Sequence, residues 1–249
     1  MGFIEVETSE GIRTLRLNRP PVNALTGDVV DELTAALDAA EADEGTRAIV
    51  LTGAGKFFSF GFDVPEFLGD PRERFTDFLA RFTRLYERLF TFPRPVVGAL
   101  NGHAVAGGAM LALACDVRVI ADGRAKFGLN EIAIGASVFA GCAAMLRFRA
   151  GGANATRVLY AGALHTAGEA LRLGLVDEVA GEDDVPRAAR IVAAALAAQD
   201  PAAFAGIKKL LTGPVAEDFR AREDASIREF VDIWYSGATR AKLRDVRIR

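Results

Sequence analysis

Apolar and polar residues alternate over Phe3–Glu7 and Ile12–Leu17, which predicts two half-buried strands, and Gly11 between them predicts a hairpin. Asn18–Ala24 carries two prolines, which neither element accepts in its interior, and reads as a loop. Val29, Val30, Leu33, Leu37 and Ala40 share one face of a helix over Asp28–Asp43, with Asp28 at the positive end of its dipole. The unbroken apolar run in Arg47–Leu51 predicts a buried strand, and Thr52–Asp63 a Gly- and Phe-rich loop. In Arg72–Phe90, Phe75, Phe78, Leu79, Phe82, Leu85, Tyr86, Leu89 and Phe90 recur at helical spacing. Arg72, Arg74, Arg81, Arg84 and Arg88 take much of the other face. Such an aromatic stripe reads as core.

Pro93 and Pro95 end that helix. A strand over Pro95–Leu100, a small-residue helix over Gly107–Cys115 and a strand over Val117–Ala121 follow. Repeated strand–helix–strand units imply an α/β fold with parallel pairing and right-handed crossovers. After about Ala140 the pattern turns helical, over Ala140–Arg149, Thr156–Ala161, Ala167–Leu173, Pro186–Ala198, Ala202–Leu211 and Val215–Tyr235. The expected organisation is an α/β core over 1–190 and a helical C-terminal region over 191–249.

Composition supports a folded enzyme-sized core: 249 residues, 51% of them hydrophobic. A net charge of −3 supplies no positive field for nucleic acid. The Arg72–Arg88 stripe, the one candidate basic face, reads as a solvated or subunit-facing surface. Cys115 and Cys142 sit in apolar stretches and form no disulfide framework. Met1–Glu7 lacks a secretory pattern, and the apolar stretch Ala104–Cys115 is too short to span a bilayer. The expectation is a cytoplasmic protein with neither a nucleic-acid nor a membrane partner. His103 and His165 lack ligand-like neighbours, so no metal site is expected.

Several chemistries fail on spacing. Phe58 stands where a dinucleotide loop beginning at Gly53 needs its third Gly, and Phe139 replaces the second Gly of a nucleophile elbow around Ser137. Two Gly-rich loops remain, Lys56–Asp63 and Asn101–Met110, each after a buried strand, where α/β folds bind ligands. The second opens a helix at Gly107–Gly108, whose N–H groups attract anions. One N–H from each loop would form an oxyanion hole. Taken alone, Gly-rich loops are more often only turns.

Six stretches together add more: Pro21–Leu25 (Pro-Val-Asn-Ala-Leu), Phe58–Val64 (Phe-Ser-Phe-Gly-Phe-Asp-Val), Asn101–Gly108 (Asn-Gly-His-Ala-Val-Ala-Gly-Gly), Ala114–Arg118, Phe127–Ile132 (Phe-Gly-Leu-Asn-Glu-Ile) and Gly168–Val179. In these, and in their order, the chain resembles the enoyl-CoA hydratase/isomerase (crotonase) superfamily. The resemblance implies a spiral of ββα units with a helical C-terminal region, a homotrimer or dimer of trimers, and an acyl-CoA thioester substrate. It implies no cofactor beyond the coenzyme A that the substrate carries. By the same resemblance the oxyanion donors map to the backbone N–H groups of Phe60 and Gly107. Asn23, Ala24 and Leu25, with Phe60, Gly61, Phe62, Asp63 and Val64, map to the cradle of the coenzyme. Lys208, Lys209 and Arg240 are candidates to meet its phosphates, although helix lysines are ordinarily solvated. Trp234–Arg249 would close this subunit's site or a neighbour's.

The carboxylates separate the reactions. Hydratases of this family use two Glu; at the first position this chain has Met110, which carries no proton. Glu131 fills the second, in a Leu-Asn-Glu motif shared with Δ3,Δ2-enoyl-CoA isomerases. The resemblance thus favours isomerisation with Glu131 as sole acid/base, and Met110 and Ser137 as pocket lining. Alternatives are a hydratase, thioesterase or decarboxylase, or a non-catalytic acyl-CoA-binding protein on the same fold.

Overall fold

The computed structural model describes residues 2–246; Met1 and residues 247–249, the end of the expected closing segment, lie outside it. The chain opens with β1 (Ile4–Ser9) and β2 (Ile12–Leu17), an antiparallel hairpin whose turn residues Glu10 and Gly11 both have positive φ, as tight hairpin turns require. Helix α1 (Gly27–Ala42) is capped by the Thr26 hydroxyl. Then come β3 (Ala48–Gly53), β4 (Phe57–Ser59), the short α2 (Val64–Phe67) and α3 (Arg72–Thr91). Next are β5 (Val96–Leu100), β6 (His103–Val105) and α4 (Gly107–Ala114), then β7 (Val117–Ala121), β8 (Lys126–Gly128) and a 3-10 turn, Glu131–Ile134. The rest comprises α5 (Ala140–Ala161), β9 (His165–Thr166), α6 (Ala167–Arg172), β10 (Glu178–Ala180), α7 (Val185–Ala197), α8 (Pro201–Trp234) and α9 (Gly237–Leu243).

Two sheets result, in the orders β1-β2-β3-β5-β7-β10 and β4-β6-β8-β9. Apart from the β1–β2 hairpin and the β8–β9 pair, the pairing is parallel. The units β3-β4-α3, β5-β6-α4 and β7-β8-α5 each place one strand in either sheet before a helix returns the chain. This is the expected ββα spiral.

Several elements differ from expectation. The loop expected over Thr52–Asp63 contains the end of β3 and all of β4, and β6, β8, β9 and β10 were not expected either. Each has two or three residues, too few to show a period, and exists through pairing with a strand distant in sequence. Helix α8 runs unbroken through Pro214, where two helices were expected. Proline removes the N–H bond to the carbonyl of Leu210, a residue on the exposed side of the helix, so water can satisfy that carbonyl. Helix α5 does break, at Gly151. The expected division at residue 190 falls inside α7, which packs on β3, β5 and β7.

The stripe of α3 is core as expected: Phe75 stacks on Trp234, with ring centroids 4.7 Å apart, and Phe78 and Phe82 meet Phe62 at 5.0 and 4.9 Å. Its arginines are consumed within the chain. Arg72 pairs with Asp232, Arg81 with Asp31, and Arg88 with Asp38 and Glu41. Among the described residues no helix is long and apolar enough to cross a membrane.

Candidate active site

The small sheet and the C-terminal helices enclose a cavity of about 70 Å3. Phe60, Phe62 and Val64 come from the loop after β4, and Val105, Ala106, Gly107 and Met110 from the β6–α4 junction. Asn130, Glu131, Ile134 and Ala136 come from the turn after β8, and Phe230, Trp234 and Val246 from the C-terminal region. The walls are apolar, and Glu131 is the one ionisable side chain among them.

The two Gly-rich loops touch. Gly61 has φ +88°, and a Cβ there would stand 2.9 Å from the Val105 carbonyl and 3.0 Å from the Gly107 nitrogen. Only glycine allows both that backbone conformation and that approach. Across from it, Ala106 holds φ 49°, ψ −121°, a conformation that costs an L-residue about 1–3 kcal/mol. It is fixed by its N–H donating to Gly128 O (2.8 Å) and its carbonyl accepting from Met110 N (3.0 Å). The turn leaves the Gly107 N–H at the start of α4, with no acceptor among the described residues.

The second donor differs from expectation. The Phe60 N–H donates to the Val22 carbonyl at 3.1 Å and is spent within the protein. The N–H of Phe62, on the far side of Gly61, has no acceptor, because the bridge to Leu25 uses the Gly61 carbonyl and the Asp63 N–H instead. Phe62 and Gly107, both cavity residues, supply the two unspent N–H groups.

The expected coenzyme cradle divides likewise. Asn23, Ala24 and Leu25 are buried. The Asn23 amide donates to Ala54 O (2.9 Å) and Phe57 O (2.8 Å), and Leu25 N–H to Gly61 O (2.8 Å), so Asn23 and the Leu25 backbone brace the loop from behind, and none of the three lines the cavity. Asp63 caps α2 through Glu66 N (3.2 Å) and pairs with Arg19 at 2.7 Å. Phe60, Phe62 and Val64 do line the cavity.

Glu131 begins the 3-10 turn that Gly135 ends. It is 5% exposed, and neither carboxyl oxygen has a hydrogen-bond partner in another described residue. Burial pushes its pKa up to about 8, opposed only by its own backbone N–H. An unpartnered, desolvated carboxyl among apolar walls has the character of a proton-transfer group. Met110 shares the cavity, as expected. Ser137 does not; it lies in a neighbouring groove.

Sequence reasoning missed the C-terminal walls, Phe230, Trp234 and Val246, apart from marking 234–249 as a closing segment. The described part of that segment closes this chain's own site. The Thr239 hydroxyl donates to Gly135 O (2.7 Å) and Arg240 to Leu68 O (2.7 Å), so α9 ties the Glu131 turn to the end of α2. Lys208 is not free for a phosphate: it is buried and paired with Asp116 at 2.7 Å, and burial lowers its pKa despite that partner. Arg240 packs over the Tyr235 ring.

Residues 7–237 match the family model described as "Enoyl-CoA hydratase/isomerase". A putative enoyl-CoA hydratase of Thermus thermophilus is 40% identical over 247 residues, 93% of this chain and 94% of that protein. The mitochondrial enoyl-CoA delta isomerase 1 of Mus musculus is 33% identical over 230 residues, 92% and 80%. The crystal structure of human mitochondrial delta3-delta2-enoyl-CoA isomerase superposes with a TM-score of 0.93 at 29% identity, covering 97% of this chain and 95% of that one. With a match over nearly its whole length and a site of this build, the chain belongs to the enoyl-CoA hydratase/isomerase family.

Proposed function

We propose that this protein is an enoyl-CoA isomerase, converting a 3-enoyl-CoA to the conjugated 2-enoyl-CoA. The observation that carries the reading is that Glu131 is the only ionisable side chain among the described residues that line the cavity. The thioester oxygen accepts hydrogen bonds from the Phe62 and Gly107 N–H groups. The Glu131 carboxylate takes the C2 proton, and the electron pair moves onto that oxygen as the enolate forms. The pair then returns as the C2=C3 double bond, the old C3=C4 bond opens, and Glu131 delivers the same proton to C4. The step is redox-neutral and needs no water. Each oxyanion donor contributes about 3 kcal/mol in such sites, and a positioned acid/base roughly 10²–10⁴-fold. Hydration needs a second group to activate water, and Met110 offers none.

The test pairs two assays on wild type and Glu131→Gln: conversion of a 3-enoyl-CoA to its conjugated isomer, and loss of a 2-enoyl-CoA to water. Isomerisation that disappears in the variant, with no hydration in either protein, is the expected result. Robust hydration by the wild type would overturn the single-carboxylate reading.

A further inference from the structure

Glu131 and Ala136 have space on both sides. Beside the small cavity lies a second groove, of about 380 Å3, to which the same two residues contribute walls. Leu129, Ile132 and Val138 form one side, Leu159 and Tyr160 of α5 and Ile233 of α8 the others. Glu131 is the only carboxyl among its described lining residues. At the rim, Ile132 and Tyr160 are 50% and 77% exposed, large apolar surface left open by the described residues.

The inference rests on the reading of Glu131 as the proton carrier. If C2 and C4 of the substrate meet Glu131, any chain beyond C4 starts at that carboxyl. The first cavity has room for only a few water-sized groups and is closed by buried Met110, Phe230 and Trp234. Those walls are core residues that cannot withdraw without opening voids. The groove behind Glu131 is larger, apolar and shares its wall with the reaction cavity. We infer that it holds the distal alkyl part of the acyl group, and that the protein prefers long-chain unsaturated acyl thioesters over short ones. Glu131 then stands midway along the bound chain.

The test is the ratio of kcat/KM for 3-dodecenoyl-CoA over 3-hexenoyl-CoA. Each additional buried methylene raises kcat/KM by about fourfold, so the wild-type ratio is expected well above tenfold. Ile233→Trp fills the groove from α8 and Leu159→Gln makes its floor polar; each should lower the ratio at least tenfold. A general folding defect reduces both substrates together and leaves the ratio where it was. A wild-type ratio near one, or ratios unchanged in both variants, would overturn the inference while leaving isomerisation standing. A change of oligomeric mass in the variants with the ratio unchanged would assign the groove to a second copy of the chain, and would likewise overturn it. If wild type turns over neither substrate, the isomerase reading fails. The groove is then read by calorimetric binding of dodecanoyl-CoA against butyryl-CoA. A preference for the longer chain that both variants abolish supports the subsite, and equal binding rejects it.

Discussion

The hydroxyl of Thr239 donates to the carbonyl of Gly135 at 2.7 Å, and Gly135 is the residue that ends the turn carrying Glu131. Thr239 is thereby a positioning residue: it touches no reacting atom but fixes the turn from which the carboxyl projects. Thr239→Val keeps the shape and removes the donor. A net hydrogen bond of about 1 kcal/mol corresponds to roughly a fivefold loss. We expect kcat to fall about that much with KM little changed, and Thr239→Ser to restore it. Equal losses in the Ser and Val variants would show that packing, not the hydrogen bond, matters.

The raised pKa of Glu131 has two consequences of opposite sense. Proton abstraction needs the carboxylate, so kcat/KM should climb about tenfold per pH unit below about pH 8 and level off above it. Stability runs the other way. The folded pKa is about 8 against an ordinary value of 4.5, so the folded state binds more protons between those values. Its stabilising contribution is complete below about pH 4.5 and is lost as pH rises through 8. Glu131→Gln, which cannot ionise, should gain on wild type by about 2 kcal/mol between pH 6 and pH 8 in urea titrations. A pH-independent difference between the two proteins would mean that Glu131 titrates normally.

Gly61→Ala tests the contact between the two loops. The new Cβ would meet main-chain atoms of Val105 and Gly107, which cannot swing aside as a side chain can. The loops must separate, and with them the Phe62 and Gly107 N–H groups. We expect kcat to fall about 100-fold, the scale of losing one oxyanion donor, with the circular dichroism spectrum retained. Near-normal kcat in a folded variant would remove these two N–H groups from the reaction.

Met110→Glu places a second carboxyl in the cavity that holds Glu131. Two carboxyls in one dry space raise at least one pKa further, so one stays protonated near neutrality. The expected result is measurable hydration of a 2-enoyl-CoA together with weaker isomerisation. A variant that gains no hydration would show that shape, not the missing carboxyl, bars water.

The large sheet was legible because β2, β3, β5 and β7 are runs of five or six residues with strong apolar signals. The small sheet was not. Phe57–Ser59, His103–Val105 and Lys126–Gly128 become strands only when the spiral brings them together. The family motifs pointed to Glu131, Gly107 and Met110, and all three line the cavity. For the second donor they pointed to Phe60, and no motif records that the Phe60 N–H donates to the Val22 carbonyl, leaving the Phe62 N–H unspent in that loop. The signal that would have corrected this was Gly61, whose positive φ turns the next peptide. Phe230, Trp234 and Val246 carry no local mark of a site, since their role follows from how α8 folds back across α3.

The aromatic packing of α3 against α8 also bears on how the protein is made. Phe75 and Phe78 leave the ribosome well before Phe230 and Trp234, which cover Phe75. Until those later residues emerge the nascent chain therefore presents an oily helix face with no lid, the kind of surface that chaperones shield and that aggregates when left bare. The candidate cavity, walled by the same later residues, comes into existence only when that face is covered. Covering that helix and completing the cavity are, for this chain, a single event.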